Sequence, residues 1–195
     1  MSTTALRCYH PAKKSLAAWR MAGTEMAATR ILGVDPGSRM TGVGIIEING
    51  DRIKPVYYGA IKAGNGVFTE RLGIIFSELE ALIREYEPDQ AAIETVFVAN
   101  NASSAIKLGQ ARGAAVCAAI SCEVPVAEYS PRSVKQAIVG RGGADKTQVQ
   151  HMVGLLLGIK GPIQNDAADA LAIALCHHHT AETLSRMNVM QGVAK

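Results

Sequence analysis

Residues 31–44 read ILGVDPGSRMTGVG, and the fold turns on how this stretch is read. The apolar run Ile31-Leu32-Gly33-Val34 has the look of a buried strand, and Pro36-Gly37 is a turn signal. Asp35 therefore falls where a strand ends and the sheet edge opens to solvent. A carboxylate there either caps the turn or serves a cation or substrate, and the stretch needs partners to decide.

Outward from this strand, Thr41–Ile48 alternates partly and ends at Asn49-Gly50, a strong hairpin signal that Asp51 can lengthen. Ile53–Ile61 follows as a third strand, so the first half is expected to be antiparallel. Val67–Tyr86 has a helical period, with Leu72, Ile75, Leu79, Leu82 and Tyr86 near one face, and Pro88 ends it. Gln90–Ile93 is a short strand closed by Glu94. A strand, helix and strand in this order imply a crossover to a parallel neighbour. Glu94 then lies at the same sheet edge as Asp35.

The remaining elements are helices around one more strand. Ala99–Ile120 is rich in Ala and contains Gly109 and Gly113, which cost helix stability and suit close packing on a neighbouring helix or a second subunit. Val124–Tyr129 is a strand leading into Ser130-Pro131, a helix start, and Val134–Val139 is helical. After the glycine-rich loop 140–144, Lys146–Leu157 is a helix with Val149, Met152, Val153 and Leu156 on its apolar side. A closing helix runs from about Asn165 to His178, and His177-His178-His179 reads as its frayed end.

At 195 residues with an apolar fraction of 48%, the chain has enough material for one domain with a genuine core. Residues 1–30 have no steady period and no secretory core, and Met21 and Met26 precede the first strand, so this segment is expected to be a flexible tail or a mis-assigned start. The domain is expected over 31–180, with 181–195 a short C-terminal tail. No apolar run approaches the ~18 residues of a membrane span. The four cysteines have no CxxC spacing, Cys117 looks like a small core residue, and a reducing, cytoplasmic setting is the default. Of 20 basic and 17 acidic residues, five and one fall in 1–30, leaving 15 and 16 in 31–195. The net charge of +3 is thus no argument for a nucleic-acid-binding core, and such a claim must rest on local patches.

Four carboxylates form a candidate constellation. Asp35 and Glu94 end strands. Asp166 and Asp169 begin the closing helix three residues apart, hence on one face, either as a capping pair or as part of a site. Like charges brought together cost energy unless a cation offsets them. Hard oxygen donors suit Mg²⁺ or Mn²⁺, and two such ions could clamp a phosphodiester. A sugar-kinase ATPase, which starts similarly, would need a second lobe that the chain lacks. Residues 131–160 carry Arg132, Lys135, Arg141, Lys146 and Lys160 against one acid, Asp145. These are either phosphate contacts or ordinary solvated charges. Phe97 is either a core residue or an aromatic on which a base stacks. His151 is a remote candidate for a base.

The segments GVDPGSRMTGVG (33–44), AAIETVFVANNASSAIKLGQARGAA (91–115), PRSVKQAIVGRGGADKTQVQHMV (131–153) and NDAADALAIA (165–174) together resemble the RuvC family of bacterial Holliday-junction resolvases. The resemblance implies an α/β, RNase H-like fold: a five-stranded mixed sheet flanked by helices on both sides. It implies a homodimeric, Mg²⁺-dependent crossover junction endodeoxyribonuclease, with Mn²⁺ substituting and two ions per site. Such an enzyme makes paired symmetric nicks in four-way junctions at preferred T-rich sequences, leaves 5′-phosphate and 3′-hydroxyl ends, and works with RuvA and RuvB. By resemblance Asp35, Glu94, Asp166 and Asp169 are the catalytic and metal-holding acids, Phe97 the junction-contacting aromatic, and Lys135 and Lys146 the functional lysines. Arg132 and Arg141 join the DNA-binding set. The helix from near Asn101 corresponds to the family's dimer helix. The competing classes are a non-catalytic junction binder and an RNase H-like nuclease with another nucleic-acid substrate.

Overall fold

The computed structural model describes residues 28–96 and 101–193, with side chains to 188; the expectations for the first 27 residues lie outside it. Five strands and five helices follow in the order β1 (Thr29–Asp35), β2 (Met40–Asn49), β3 (Arg52–Lys62), α1 (Phe68–Tyr86), β4 (Gln90–Glu94), α2 (Ala102–Ser121), β5 (Val126–Tyr129), α3 (Pro131–Val139), α4 (Lys146–Leu156) and α5 (Asn165–Val193). The strands form one mixed sheet in the order β3-β2-β1-β4-β5. β1, β2 and β3 are antiparallel, as the hairpin signal implied, with Asn49 opposite Arg52. β4 runs parallel to β1, and β5 parallel to β4. Pro55 is tolerated because β3 is an edge strand, and it sits where the β2–β3 register shifts.

Strand parity sorts the side chains onto two faces. Leu32, Val34, Val43, Ile45, Ala91 and Ile93 join Ile75, Leu79 and Ile83 of α1 and the alanines of α2 in one core. Ile31, Ile46 and Ala92 pack on the other face against Val134, Ile138, Val149, Val153 and the α5 residues Leu171, Ile173 and Leu175. By the same alternation Asp35 and Glu94 fall on the α5 face.

That face carries glycine where α5 crosses it. A Cβ on Gly33 would stand 2.0 Å from the Ala170 carbonyl oxygen, and one on Gly42 would stand 2.0 Å from that of Asp166. At Gly44 a Cβ would stand 2.8 Å from the Leu171 nitrogen. The helix answers with small residues: Ala167, Ala168, Ala170, Ala172 and Ala174 are all buried. The backbones of sheet and helix therefore meet with almost nothing between them.

Several expectations need correcting. α5 does not fray at His178 but continues through 181–193, the stretch expected to be a tail; no glycine or proline interrupts it before Gly192. His177 is not at a loose end. It is half-buried and joins two strands, with Nδ1 2.8 Å from Tyr129 Oη and Nε2 2.6 Å from Gln90 Oε1. Cys117 is exposed rather than core, because the buried stripe of α2 is Ala111, Ala115, Ala118 and Ala119. On α1 the buried stripe is Arg71, Ile75, Leu79 and Ile83, with Leu72, Leu82 and Tyr86 beside it. On α4 Leu156 is 40% exposed, and Leu157 is buried instead. Gly109 and Gly113 face open space within the chain, so neither is a close-packing position against its own helices.

Two glycine substitutions of opposite sign test this packing. Gly33→Ala is expected to destabilise by roughly 1–3 kcal/mol or more, the cost of overpacking. Gly73→Ala, on an exposed turn of α1 with nothing near its Cβ, is expected to stabilise by about 0.5–1 kcal/mol through helix propensity. Denaturant midpoints measure both; a neutral Gly33→Ala would contradict the close approach.

Candidate active site

The parallel pairing of β1 and β4 ends with Val34 opposite Ile93, so the next residues, Asp35 and Glu94, stand side by side at the carboxyl edge. The turn after Asp35 is closed by Thr41, whose buried hydroxyl donates to the Gly37 carbonyl at 2.9 Å and accepts from the Gly37 N–H at 3.3 Å. Of the two roles open to Asp35, the turn cap is thus already filled by another residue.

Asp166 and Asp169 arrive on the first turns of α5, carried over β2 and β1 by the contact at Gly42 and Gly33. Asp169 lines the same cleft as Asp35 and Glu94. Asp166 does not line the cleft, but it is close enough for its charge to act on Asp35. The two lysines come from helix starts. Ser130 caps α3, accepting from Ser133 N–H at 3.0 Å with Pro131 next, and half-buried Lys135 reaches the cleft one turn on. A capping box at α4 pairs Asp145 with Gln148, which places Lys146 at the first helical position. Its Nζ lies 2.6 Å from Asp169 Oδ2.

Asp35, Glu94, Asp169, Lys135 and Lys146 line a cleft of about 190 Å³ whose apolar wall includes Val134, Val149 and Ala172. Burial raises the Asp35 carboxyl from an ordinary 3.8 to about 6, with repulsion from Asp169 and Asp166 adding to the effect and Lys146 opposing it. Burial likewise lifts Glu94 from 4.5 to about 7, aided by Asp35 and Asp169 and opposed by Lys146 and Lys135. Lys146 is shifted up, chiefly by its hydrogen bond to Asp169. The site is a pocket of negative charge that two ammonium groups only partly balance.

Arg132 and Arg141 are exposed and do not line the cleft. Arg132 instead lies over Gly142, where a Cβ would meet its Cγ at 2.7 Å. The glycine loop is held by Gln136, which donates to Gly140 O at 2.7 Å and accepts from Gly142 N–H at 3.0 Å. His151 is exposed on α4 and away from the cleft lining. Phe97 lies outside the described residues. Sequence reading missed Gln136 and the structural glycines. The glycines were findable, because Gly33 shares strand parity with Asp35.

The donor set suits a hard divalent cation: carboxylate oxygens at one edge, with charge unrelieved. As the side chains stand, no three His, Cys, Asp or Glu groups among the described residues are gathered tightly enough to hold an ion. The Lys146 ammonium sits on Asp169. The residues fit a metal in kind, as carboxylate oxygens lining one cleft.

A mixed five-stranded sheet with helices on both faces, and acids at the carboxyl edge of its central strands and on the crossing helix, is the RNase H-like architecture. The family model of the crossover junction endodeoxyribonuclease RuvC matches residues 31–177. The chain belongs to the RuvC family. It is 52% identical over 163 residues to the RuvC of Xanthomonas euvesicatoria, covering 83% of this chain and 94% of that protein. It is 56% identical over 157 residues to the RuvC of Marinobacter nauticus, covering 80% and 90%. The structure of Thermus thermophilus RuvC in complex with a Holliday junction substrate superposes with a TM-score of 0.75 at 34% identity, over 80% of this chain and 96% of that one.

The raised carboxyls carry a sign. The folded protein keeps these protons to higher pH than the unfolded chain does. Their stabilising contribution is therefore complete below the ordinary carboxyl values and is lost as pH rises through 6 and 7. In metal-free buffer at pH 8, Asp35→Asn is expected to raise the melting temperature, by roughly 2–4 °C per kcal/mol of repulsion relieved. Near pH 4 the substitution should change little. A lower melting temperature at pH 8 would contradict unrelieved charge at Asp35.

Proposed function

We propose that this chain is a metal-dependent endonuclease that resolves four-way DNA junctions by paired symmetric nicks, leaving 5′-phosphate and 3′-hydroxyl ends, in recombination and repair. The observation that carries the reading is the single cleft in which Asp35, Glu94 and Asp169 face Lys135 and Lys146, in a chain of the RuvC family. The Thermus thermophilus relative described in complex with a Holliday junction substrate supports the choice of DNA.

Asp35, Glu94, Asp169 and Asp166 would hold Mg²⁺, or Mn²⁺ in its place, as two ions per site. When bound, the ions supply charge stabilisation at the phosphoryl group and a more acidic water. The remaining work falls to the chain's own groups. Lys135 and Lys146 bring positive charge to a scissile phosphate entering the cleft and offset charge that develops there. The apolar wall of Val134, Val149 and Ala172 keeps the dielectric low, which strengthens those interactions. Arg132 and Arg141, exposed beside the glycine loop, contact the phosphate backbone away from the reaction, and Phe97 stacks on an unpaired base.

The working unit is a homodimer built on α2. Ile106 is 63% exposed and Ile120 46% exposed on that helix, and the open faces of Gly109 and Gly113 admit a close partner. Two-fold symmetry then presents two clefts to two strands of one junction. RuvA and RuvB are the expected branch-migration partners, and the cytoplasm the expected compartment. No helix among the described residues is long and apolar enough to cross a membrane.

Asp35→Asn is expected to bind a labelled four-way junction with the parent's affinity and to cleave it slower by roughly a hundredfold or more. Gel-shift and single-turnover cleavage in Mg²⁺ read the two quantities separately. Parent-level cleavage by this variant would sink the assignment. Parent protein that binds the junction without nicking it in Mg²⁺ or Mn²⁺ would favour a non-catalytic binder.

A further inference from the structure

Arg112 lies on α2, on the opposite side of the sheet from the cleft, yet it reaches the carboxyl edge. Its Nε–H donates to the main-chain carbonyl of Glu94 at 3.2 Å. Its Nη2 lies 2.6 Å from Glu128 Oε1 on β5. That contact is an ion pair set off the axis of a hydrogen bond, and the buried nitrogen has no hydrogen-bond partner among the described residues. The Arg112 side chain is 22% exposed and that of Glu128 54%.

Glu94 is the last residue of β4, and its strand partner Tyr129 is the last of β5. Beyond them no ladder holds the chain. The following residue is tied to β5, because Thr95 donates to the Tyr129 carbonyl through both N–H, at 2.8 Å, and Oγ1, at 3.2 Å. The Glu94 carbonyl is tied to α2 through Arg112. The peptide joining Glu94 to Thr95 is thus gripped from two elements. Its plane sets the direction in which the Glu94 side chain leaves the strand.

We propose that Arg112 is a positioning residue for Glu94, fixing the backbone from which that carboxylate projects into the cleft. The proposal rests on the reading of Glu94 as an acid of the cleavage site. Stability alone explains the arrangement poorly. An ion pair with a half-exposed glutamate is worth little, and a largely buried guanidinium carries a desolvation cost that an apolar side chain would avoid. A donor aimed at one carbonyl at the end of a strand is what alignment needs, since a misplacement of about 1 Å can cost roughly a hundredfold in rate.

The test compares Arg112→Met, Arg112→Lys, Glu128→Gln and Glu94→Gln in the full chain. The readouts are junction affinity, single-turnover cleavage at saturating junction well below the melting temperature, and Mn²⁺ affinity by direct titration without DNA. Arg112→Met is expected to cleave roughly 10- to 100-fold more slowly, to bind junction as the parent does, and to bind Mn²⁺ several-fold more weakly. Arg112→Lys, with one donor in place of the fork, should fall between. Glu128→Gln keeps the bond to the Glu94 carbonyl and should cleave at the parent's rate.

An inactive Glu94→Gln together with Arg112→Met cleaving within about twofold of the parent overturns the positioning role. So does a Glu128→Gln as slow as Arg112→Met, which would put the effect in the ion pair rather than the carbonyl bond. Should Arg112→Met fail to fold, Arg112→Lys carries the test, and parent-level rate and Mn²⁺ affinity in that variant overturn the role. Full cleavage by Glu94→Gln would overturn the site reading beneath it instead.

Discussion

The contact on which the rest of the structure depends is that of the α5 backbone with the glycines of β1 and β2. At Gly33 and Gly42 the space a methyl group would need is taken by carbonyl oxygens of Ala170 and Asp166. The helix can lie that low only because the sheet offers no side chains there and the helix offers mostly alanine in return. Its depth decides where Asp166 and Asp169 stand. A helix lifted off the sheet by side chains at these positions would carry those acids away from Asp35. Packing and chemistry are therefore the same constraint: the glycines that let α5 settle also assemble the cleft.

What is assembled is an electrostatically unfavourable object. Burial and mutual repulsion push Asp35 and Glu94 well above ordinary carboxyl values, and a fold would shed such a cost if it could. Two apolar cores, one on each face of the sheet, are large enough to hold it. Lys146 relieves part of the charge by seating on Asp169. The charge that the lysines leave has the sign that a divalent cation would relieve. A site already relaxed without a cation would have little reason to take one.

Much of this was legible in the sequence, and the reasons differ by residue. Asp35 and Glu94 follow from short apolar runs that end in an acid; the hairpin turns β3 back to the direction of β1, and α1 carries the chain from β3 to a parallel β4. Period-two alternation then puts them on one face. Asp166 and Asp169 follow from helical spacing. The capping box at Asp145 and Gln148, which fixes where Lys146 begins its helix, is visible as a pattern, an acid followed three residues later by a glutamine at a helix start. Other features were not local. Cys117 reads as core because its neighbours are alanines, and only the helix phase set by Ala111 and Ala115 turns it outward. The end of α5 was misplaced because three histidines resemble a fraying terminus, while His177 is in fact held by Tyr129 and Gln90 across two strands. Arg112 touching the Glu94 carbonyl joins residues from separate elements, and no spacing announces it.

The most direct measurement is cleavage of a labelled, mobile four-way junction of varied sequence, in Mg²⁺ and in EDTA, beside a linear duplex of the same sequence. Paired, symmetric nicks in two strands of like polarity are expected, only in the junction and only with metal. Preferential cutting of the linear duplex, or cutting that survives EDTA, would contradict that expectation.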